Sequence, residues 1–286
     1  MVSVSERPPV PRTVLNTPTG EVLIPSIGYG VWQVPDDEVD SAVGTALEAG
    51  YRHIDTARIY GNEAGVGRAL KATSVPRDEI FVTTKVWNSD HGREGTLRAF
   101  DASMRRLGLE VLDLYLIHWP VPSLDRYLET WAALRELRDA GRVRAIGVCN
   151  FHEGHLRRVE QESGEWPAIN QIELHPYLQQ GTLREFQAQR GIVTESWSPL
   201  ASGKRVLDDP VVRRIAQRHD ATAAQVVIAW HLALGLVVIP KSVTPARIVE
   251  NLAAVGLELT RADLVELGTL DQGFRTGPDP DEFAVL

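Results

Sequence analysis

Short runs of β-branched and apolar residues recur along the chain, and each is followed by a longer segment with helical spacing. The runs are SIGYGVW (26–32), HID (53–55), IFVTTKVW (80–87), LDLYLIHW (112–119), VRAIGVCN (143–150), AINQIEL (168–174), IVTESWSP (192–199) and LVVIPKS (236–242). Between them, DDEVDSAVGTALEAG opens on acids and closes on Gly50, as the two ends of a helix prefer. LDRYLETWAALRELRDAG sets Leu128, Trp131, Leu134 and Leu137 at three-residue spacing and stops at Gly141. TAAQVVIAWHLALG also ends in glycine. Eight strands alternating with helices in 286 residues predict an α/β fold with a parallel sheet closed on itself, a (β/α)8 TIM barrel. The competing open, doubly wound sheet would carry a glycine fingerprint after its first strand, and GYGVWQ and GVGRAL both miss the GxGxxG spacing. Ahead of the first strand, TVLNTPTGEVLIP predicts a β-hairpin turning near Pro18–Gly20 and capping one barrel end. No linker, repeat or low-complexity segment divides the chain, so residues 1–286 read as one barrel domain. The tail FRTGPDPDEFAVL reads as an irregular surface loop.

Composition narrows the function. A net charge of −8 and a pI near 5.5 argue against a nucleic-acid or anionic-membrane partner. The single cysteine, Cys149, rules out an internal disulfide and favours a reducing compartment. MVSVSERPPVPRTV lacks an apolar leader core, and VVIAWHLALGLVVIP is too short for a membrane span and interrupted by His231. A cytoplasmic protein is expected. Only four lysines occur, Lys71, Lys85, Lys204 and Lys241.

Active sites of barrels form where strands end and the following loops begin. Asp55 closes the second strand, Lys85 lies near the end of the third, His118 near the end of the fourth, and Tyr60 in the loop after the second. Each residue alone has an ordinary explanation: a helix cap, an ion-pair partner, a structural histidine. Together on one rim they form a chain suited to proton delivery. A free phenol has a pKa of about 10, a nearby ammonium favours the phenolate, and a buried ammonium needs a carboxylate. Asp55–Lys85–Tyr60 supplies that series, and His118 adds a hydrogen bond that orients a substrate oxygen or relays a proton. This suits protonation of the alkoxide formed when a carbonyl is reduced. The constellation holds no hydride donor, so a cofactor must supply it.

HIDTARIYGNE, TTKVW, LYLIHWP, IGVCNF, NQIELHPY and IPKSVTPARIVENL, in that order, resemble the aldo-keto reductase family over nearly the whole chain. The resemblance implies a barrel that binds NADPH without a Rossmann domain and transfers hydride to aldehydes and ketones. It implies Tyr60 as general acid, tuned by Lys85 and Asp55, with His118 orienting the carbonyl. It places Asn150 and Gln171 on the nicotinamide carboxamide, which suits groups that both donate and accept. It places Trp197 against the nicotinamide ring, and Ser198 and Leu200 along the pyrophosphate. The adenosine end falls to Lys241, Ser242, Val243, Arg247, Glu250 and Asn251. Gly30, Val31, Cys149 and Ile239 complete the cofactor set. Lys241, Ser242 and Arg247 fit a 2′-phosphate, favouring NADPH over NADH.

Cys149 stands where the family usually has serine, and a thiol is a weaker donor. Trp32, Trp87 and Trp119 resemble the family's aromatic substrate wall. The loops PVPSLDRYLET and LASGKRVLDDP are short, so a shallow, open pocket is expected, like that of the microbial branch acting on 2,5-diketo-gluconate, methylglyoxal and small dicarbonyls. A monomer is expected. No metal is expected, because HEGH (152–155) lacks the i,i+4 histidine pair of a zinc helix. The competing reading is a nucleotide-binding redox sensor of the same fold with little turnover.

Overall fold

The computed structural model describes residues 9–203 and 205–286. Part of the N-terminal stretch read above for a leader, and Lys204, lie outside the described residues. Strands β1 (Arg12–Thr17) and β2 (Gly20–Pro25) form the antiparallel hairpin, with Thr17 opposite Gly20 across the turn. The barrel strands follow: β3 (Tyr29–Gly30), β4 (His53–Asp55), β5 (Phe81–Val86), β6 (Leu112–Ile117), β7 (Val143–Cys149), β8 (Ile169–Glu173), β9 (Val193–Trp197) and β10 (Val237–Val238). All eight are parallel neighbours in sequence order. A parallel bridge from Ile27 to Val238 closes the ring, with Gly28 N donating to Val238 O at 2.8 Å and Val238 N to Ser26 O at 2.9 Å. The (β/α)8 barrel and its hairpin are thus as the sequence pattern predicts.

The helices are α1 (Asp36–Ala49), α2 (Glu63–Ala72), α3 (Arg93–Leu107), α4 (Tyr127–Asp139), α5 (Glu153–Ser163), α6 (Gly181–Ala188), α7 (Pro210–Arg218), α8 (Ala223–Ala233), α9 (Pro245–Ala253) and α10 (Arg261–Gly268). The connection from β9 to β10 carries two of them, α7 and α8. Helix α1 ends on Gly50 in the left-handed conformation, as its sequence predicts. On α4, Trp131, Leu134 and Leu137 are buried in the core and Leu128 packs at its edge. The inner hairpin residues Leu15, Val22 and Ile24 pack with Phe81, Leu114, Ile169 and Val237. The hairpin therefore plugs the end where strands begin and leaves the other end for chemistry. No helix among the described residues is long and apolar enough to cross a membrane.

Candidate active site

The segment between β4 and α2 shows how local sequence sets a side chain. Arg58–Tyr60 form one 3-10 turn, and Gly61 ends it at φ 70°, a conformation glycine adopts without strain. Asn62 is fully buried; its Nδ2 donates to Val31 O and Val34 O, each at 2.9 Å, and its Oδ1 accepts from Thr56 Oγ1. Glu63, also buried, accepts from Thr84 Oγ1, Ser103 Oγ and Arg106 Nε. An Arg58–Asp90 ion pair joins the turn to the loop after β5. The loop bearing Tyr60 is thereby tied to β5, α3 and the loop after β3.

The predicted tetrad converges. Lys85 is fully buried and donates from Nζ to Asp55 Oδ1 at 2.6 Å and to Thr56 O at 2.9 Å. The same ammonium sits 5.3 Å from the Tyr60 ring centroid. The His118 ring meets Tyr60 edge-on at 5.7 Å and Trp87 at 5.2 Å. Burial would lower the Lys85 pKa, but the Asp55 carboxylate, then Tyr60 and Cys149, hold it above its ordinary value. His118 is held far below the ordinary histidine value by burial, then by Lys85 and His91. A neutral imidazole orients an oxygen by hydrogen bonding, which decides against His118 as the proton source. Its Nδ1 is buried without a partner, leaving Nε2 as the atom for a ligand.

Tyr60 corrects one expectation. Lys85 lowers its pKa as the sequence argument holds, yet burial is the larger effect and the phenol is pushed up to about 12. Although the residue as a whole is half-buried, the phenol keeps its proton at neutral pH. Lys85 limits the rise and stands ready to stabilise the phenolate once the proton has left.

Two amides complete the floor. Gln171 Nε2 donates to Asp55 Oδ2 at 2.9 Å and to Glu195 Oε2 at 2.8 Å, leaving its Oε1 as an acceptor. Asn150 Nδ2 donates to His118 O at 3.0 Å, and its Oδ1 accepts from Trp197 Nε1 at 2.8 Å. Asn150 and Ser198, at the ends of β7 and β9, have φ of 63° and 49°. Such values outside glycine cluster at functional sites. Cys149 is buried and its thiol is pushed well up by burial, so it is protonated and inert as a nucleophile.

The remaining predicted cofactor residues lie around this floor. Gly30 N donates to Pro240 O, Val31 N to Asp55 O, and Ile239 N to Ser196 O. Leu200 packs at the core edge. Lys241, Val243 and Arg247 are exposed, and neither cation has an ion pair among the described residues. Ser242 O accepts from Tyr29 Oη. Asn251 is buried, and Glu250 Oε1 accepts from Thr222 Oγ1, an engagement the sequence does not show.

The tail is irregular, as expected, but it is bolted to the site rather than lying free on the surface. Glu173 accepts from Thr276 N, Thr276 Oγ1 and Gly277 N. A Cβ on Gly277 would lie 2.6 Å from the Trp197 ring. Phe283 packs at a tilt against Trp119, 4.3 Å between centroids, and reaches Trp87 at 6.3 Å, and Asn88 Nδ2 donates to Val285 O. Trp87 and Trp119 are therefore covered, while Trp32 stands apart and 49 % exposed. Phe283, Gly277 and Glu195 are absent from the predicted site; only an acid at an inward strand position in VTESW signalled the last.

His152, His155 and Asp281 bring ligand-type atoms within 4.8 Å of one another, a grouping the HEGH spacing did not predict. Their other nitrogens face donors: Arg275 Nη2 toward His152 Nε2, and His152 N toward His155 Nδ1. Metal-binding histidines face acceptors there instead. The trio is a clamp in which both imidazoles donate to the tail carboxylate at the start of α5.

Burial also holds His53 near 3 and His91 near 4. A histidine depressed in the folded state stabilises it above the unfolded value of 6.5, and that stability is lost as pH falls toward the folded value. Urea unfolding is expected to weaken from pH 7 downward, by about 2 kcal/mol near pH 5 for His53 alone. A flat profile between these values would contradict the assignment.

The Aldo/keto reductase family model matches residues 26–271. Methylglyoxal reductase DkgA of Escherichia coli is 52% identical over 95% of this chain and 98% of its own. An aldo-keto reductase of Mycolicibacterium smegmatis is 52% identical over 96% of this chain and 98% of its own. A mutant of Gox0644 in complex with NADPH superposes with a TM-score of 0.89 at 49% identity, covering 94% of this chain and 98% of that one. An aldo/keto reductase of Brucella melitensis superposes with a TM-score of 0.88 at 51% identity, covering 92% and 100%. With its closed barrel, its buried Asp55–Lys85 pair beside Tyr60 and this match across most of its length, the chain belongs to the aldo/keto reductase family.

Proposed function

We propose that this protein is an NADPH-dependent reductase of aldehydes and ketones, with small dicarbonyls such as methylglyoxal or 2,5-diketo-gluconate as its substrates. The observation that carries the reading is Tyr60 set 5.3 Å from the Lys85 ammonium, itself anchored by Asp55. The relationship to methylglyoxal reductase DkgA supports the substrate class. The residues present fit the cofactor. Gln171 Oε1 is left free to accept from an amide N–H, Trp197 is half-buried, and Lys241 and Arg247 are exposed cations on one segment. NADPH, when bound, supplies the hydride.

The chain's own residues do the rest. Neutral His118 offers Nε2–H to the carbonyl oxygen and polarises it. Tyr60 gives its proton to that oxygen as the carbonyl carbon is reduced, so an alcohol leaves and a phenolate remains. Lys85 holds the phenolate by charge, with Asp55 keeping the ammonium in place, until solvent returns the proton. Trp87, Trp119 and Phe283 form an apolar wall that excludes water and suits small, weakly polar carbonyls. The proposed enzyme is one barrel domain that works as a cytoplasmic monomer, a reading supported by its acidic charge and single buried cysteine.

Oxidation of NADPH against methylglyoxal, phenylglyoxal, 2,5-diketo-gluconate and simple aldehydes, each repeated with NADH, tests the reading. Turnover with NADPH and little with NADH is expected. Tight NADPH binding without turnover on any carbonyl would favour the sensor instead. Arg247→Ala is expected to raise KM for NADPH about tenfold or more and leave KM for NADH nearly unchanged, since the lost contact is a charge-assisted hydrogen bond to phosphate. Equal effects on both cofactors would remove Arg247 from the phosphate site.

A further inference from the structure

Beneath the tetrad lies a carboxyl group that the reaction described above does not use. Glu195, in the middle of β9, is fully buried. One amide nitrogen, Gln171 Nε2, bridges it to Asp55. Asp55 spends its other oxygen on Lys85. The other oxygen of Glu195, Oε1, has no hydrogen-bond partner, and the nearest cationic candidate, His53 Nε2, is 3.8 Å away. The charged or titratable groups facing Glu195 are His53, Asp55, Lys85 and Cys149, with Gln171 as the neutral bridge. His53 is held neutral by burial and Cys149 is held protonated by burial. Lys85 is thus the one cation of the set, and Asp55 already takes it. Two ionised carboxylates around one ammonium would leave a net negative charge shut away from water. They would also leave a charged oxygen without a donor. One proton on Glu195 removes both costs.

We propose that Glu195 is a positioning residue for carbonyl reduction: by holding or releasing a proton, it sets the charge felt by the Asp55–Lys85–Tyr60 chain through the Gln171 bridge. The inference rests on the reading of Tyr60 as the acid. Burial first, then Asp55, pushes the Glu195 carboxyl up to about 8. It is therefore neutral at pH 7 and ionises just above. The direction of the effect follows from Coulomb's law. An ionised Glu195 opposes the negative charge of a phenolate, so Tyr60 becomes a weaker acid as pH rises; a neutral Glu195 leaves it the stronger one.

Glu195→Gln tests this, because glutamine keeps the size and an acceptor for Gln171 but cannot ionise. With NADPH and methylglyoxal, kcat is followed from about pH 6 to about pH 10. Near neutral pH the variant is expected within about twofold of wild type. Wild-type kcat is expected to fall as pH rises through the range near 8, where Glu195 ionises and makes Tyr60 the weaker acid, and E195Q is expected to lack that fall and hold its neutral-pH kcat to about pH 10. Glu195→Asp, which still ionises, is expected to restore the wild-type alkaline limb. Superimposable limbs for wild type and E195Q, or a loss uniform at every pH, overturn the proposal. A readout independent of turnover is the infrared difference between wild type and E195Q. A protonated-carboxyl stretch is expected at neutral pH, fading as pH rises through the range near 8. Its absence at neutral pH also overturns the proposal, whether or not the variants are active. A wild type inert toward every carbonyl, with that band present, would instead mark failure of the reductase reading.

Discussion

Tyr60→Phe is expected to lower kcat for carbonyl reduction about a thousandfold while changing the Kd for NADPH by less than about threefold. The hydroxyl is the group that gives the proton, and phenylalanine fills the same volume beside His118 and Lys85. The residues fitted to the cofactor, Gln171, Trp197 and Arg247, do not depend on it. Burial pushes the phenol up to about 12, so wild type carries this proton throughout the neutral range. Stopped-flow turnover set beside fluorescence titration with NADPH separates chemistry from binding. Equal losses in both would mean that Tyr60 shapes the pocket rather than serving as the acid.

Lys85→Met is expected to have the largest combined effect, on stability and on turnover. It leaves Asp55 buried with Gln171 Nε2 as its remaining side-chain donor. Removing one partner of a buried ion pair costs about 3 to 5 kcal/mol, because the other charge stays behind unpaired. Urea unfolding measures that loss. In the folded fraction kcat is expected to fall more than about a hundredfold, since a phenolate at Tyr60 would no longer face an ammonium. Asp55→Asn combined with Lys85→Met is expected to regain part of the stability, by removing the stranded charge, and none of the activity. Wild-type stability in Lys85→Met would contradict the buried pair. The pair also fixes a sign in pH. The folded pKa of Lys85 lies above its ordinary 10.5, so the stabilisation is complete below that value and is lost as pH rises through the higher folded one.

Much of this was legible along the chain because strand ends are local. The runs HID, TTKVW and LYLIHWP show where a buried strand meets a polar residue, and in a barrel all such ends share one rim. The glycines at 50 and 61 likewise announce turns that the structure contains. What stayed hidden depends on distances across the barrel or on burial. Glu195 is 140 positions from Asp55 and meets it only through Gln171. Phe283 reads as part of a loose tail until Glu173 and the His152–His155–Asp281 clamp hold that tail down.

The order of strands, the rim position of Asp55, Tyr60, Lys85 and His118, and the resemblance to aldo-keto reductases were determined by the sequence itself, because periodicity and turn residues act over a few neighbours. The tertiary structure decided which way the charges balance. Desolvation depends on every element packed around a group. It therefore lifted Tyr60 against the pull of Lys85, neutralised His118, and set a second carboxyl group beside a pair already matched in charge.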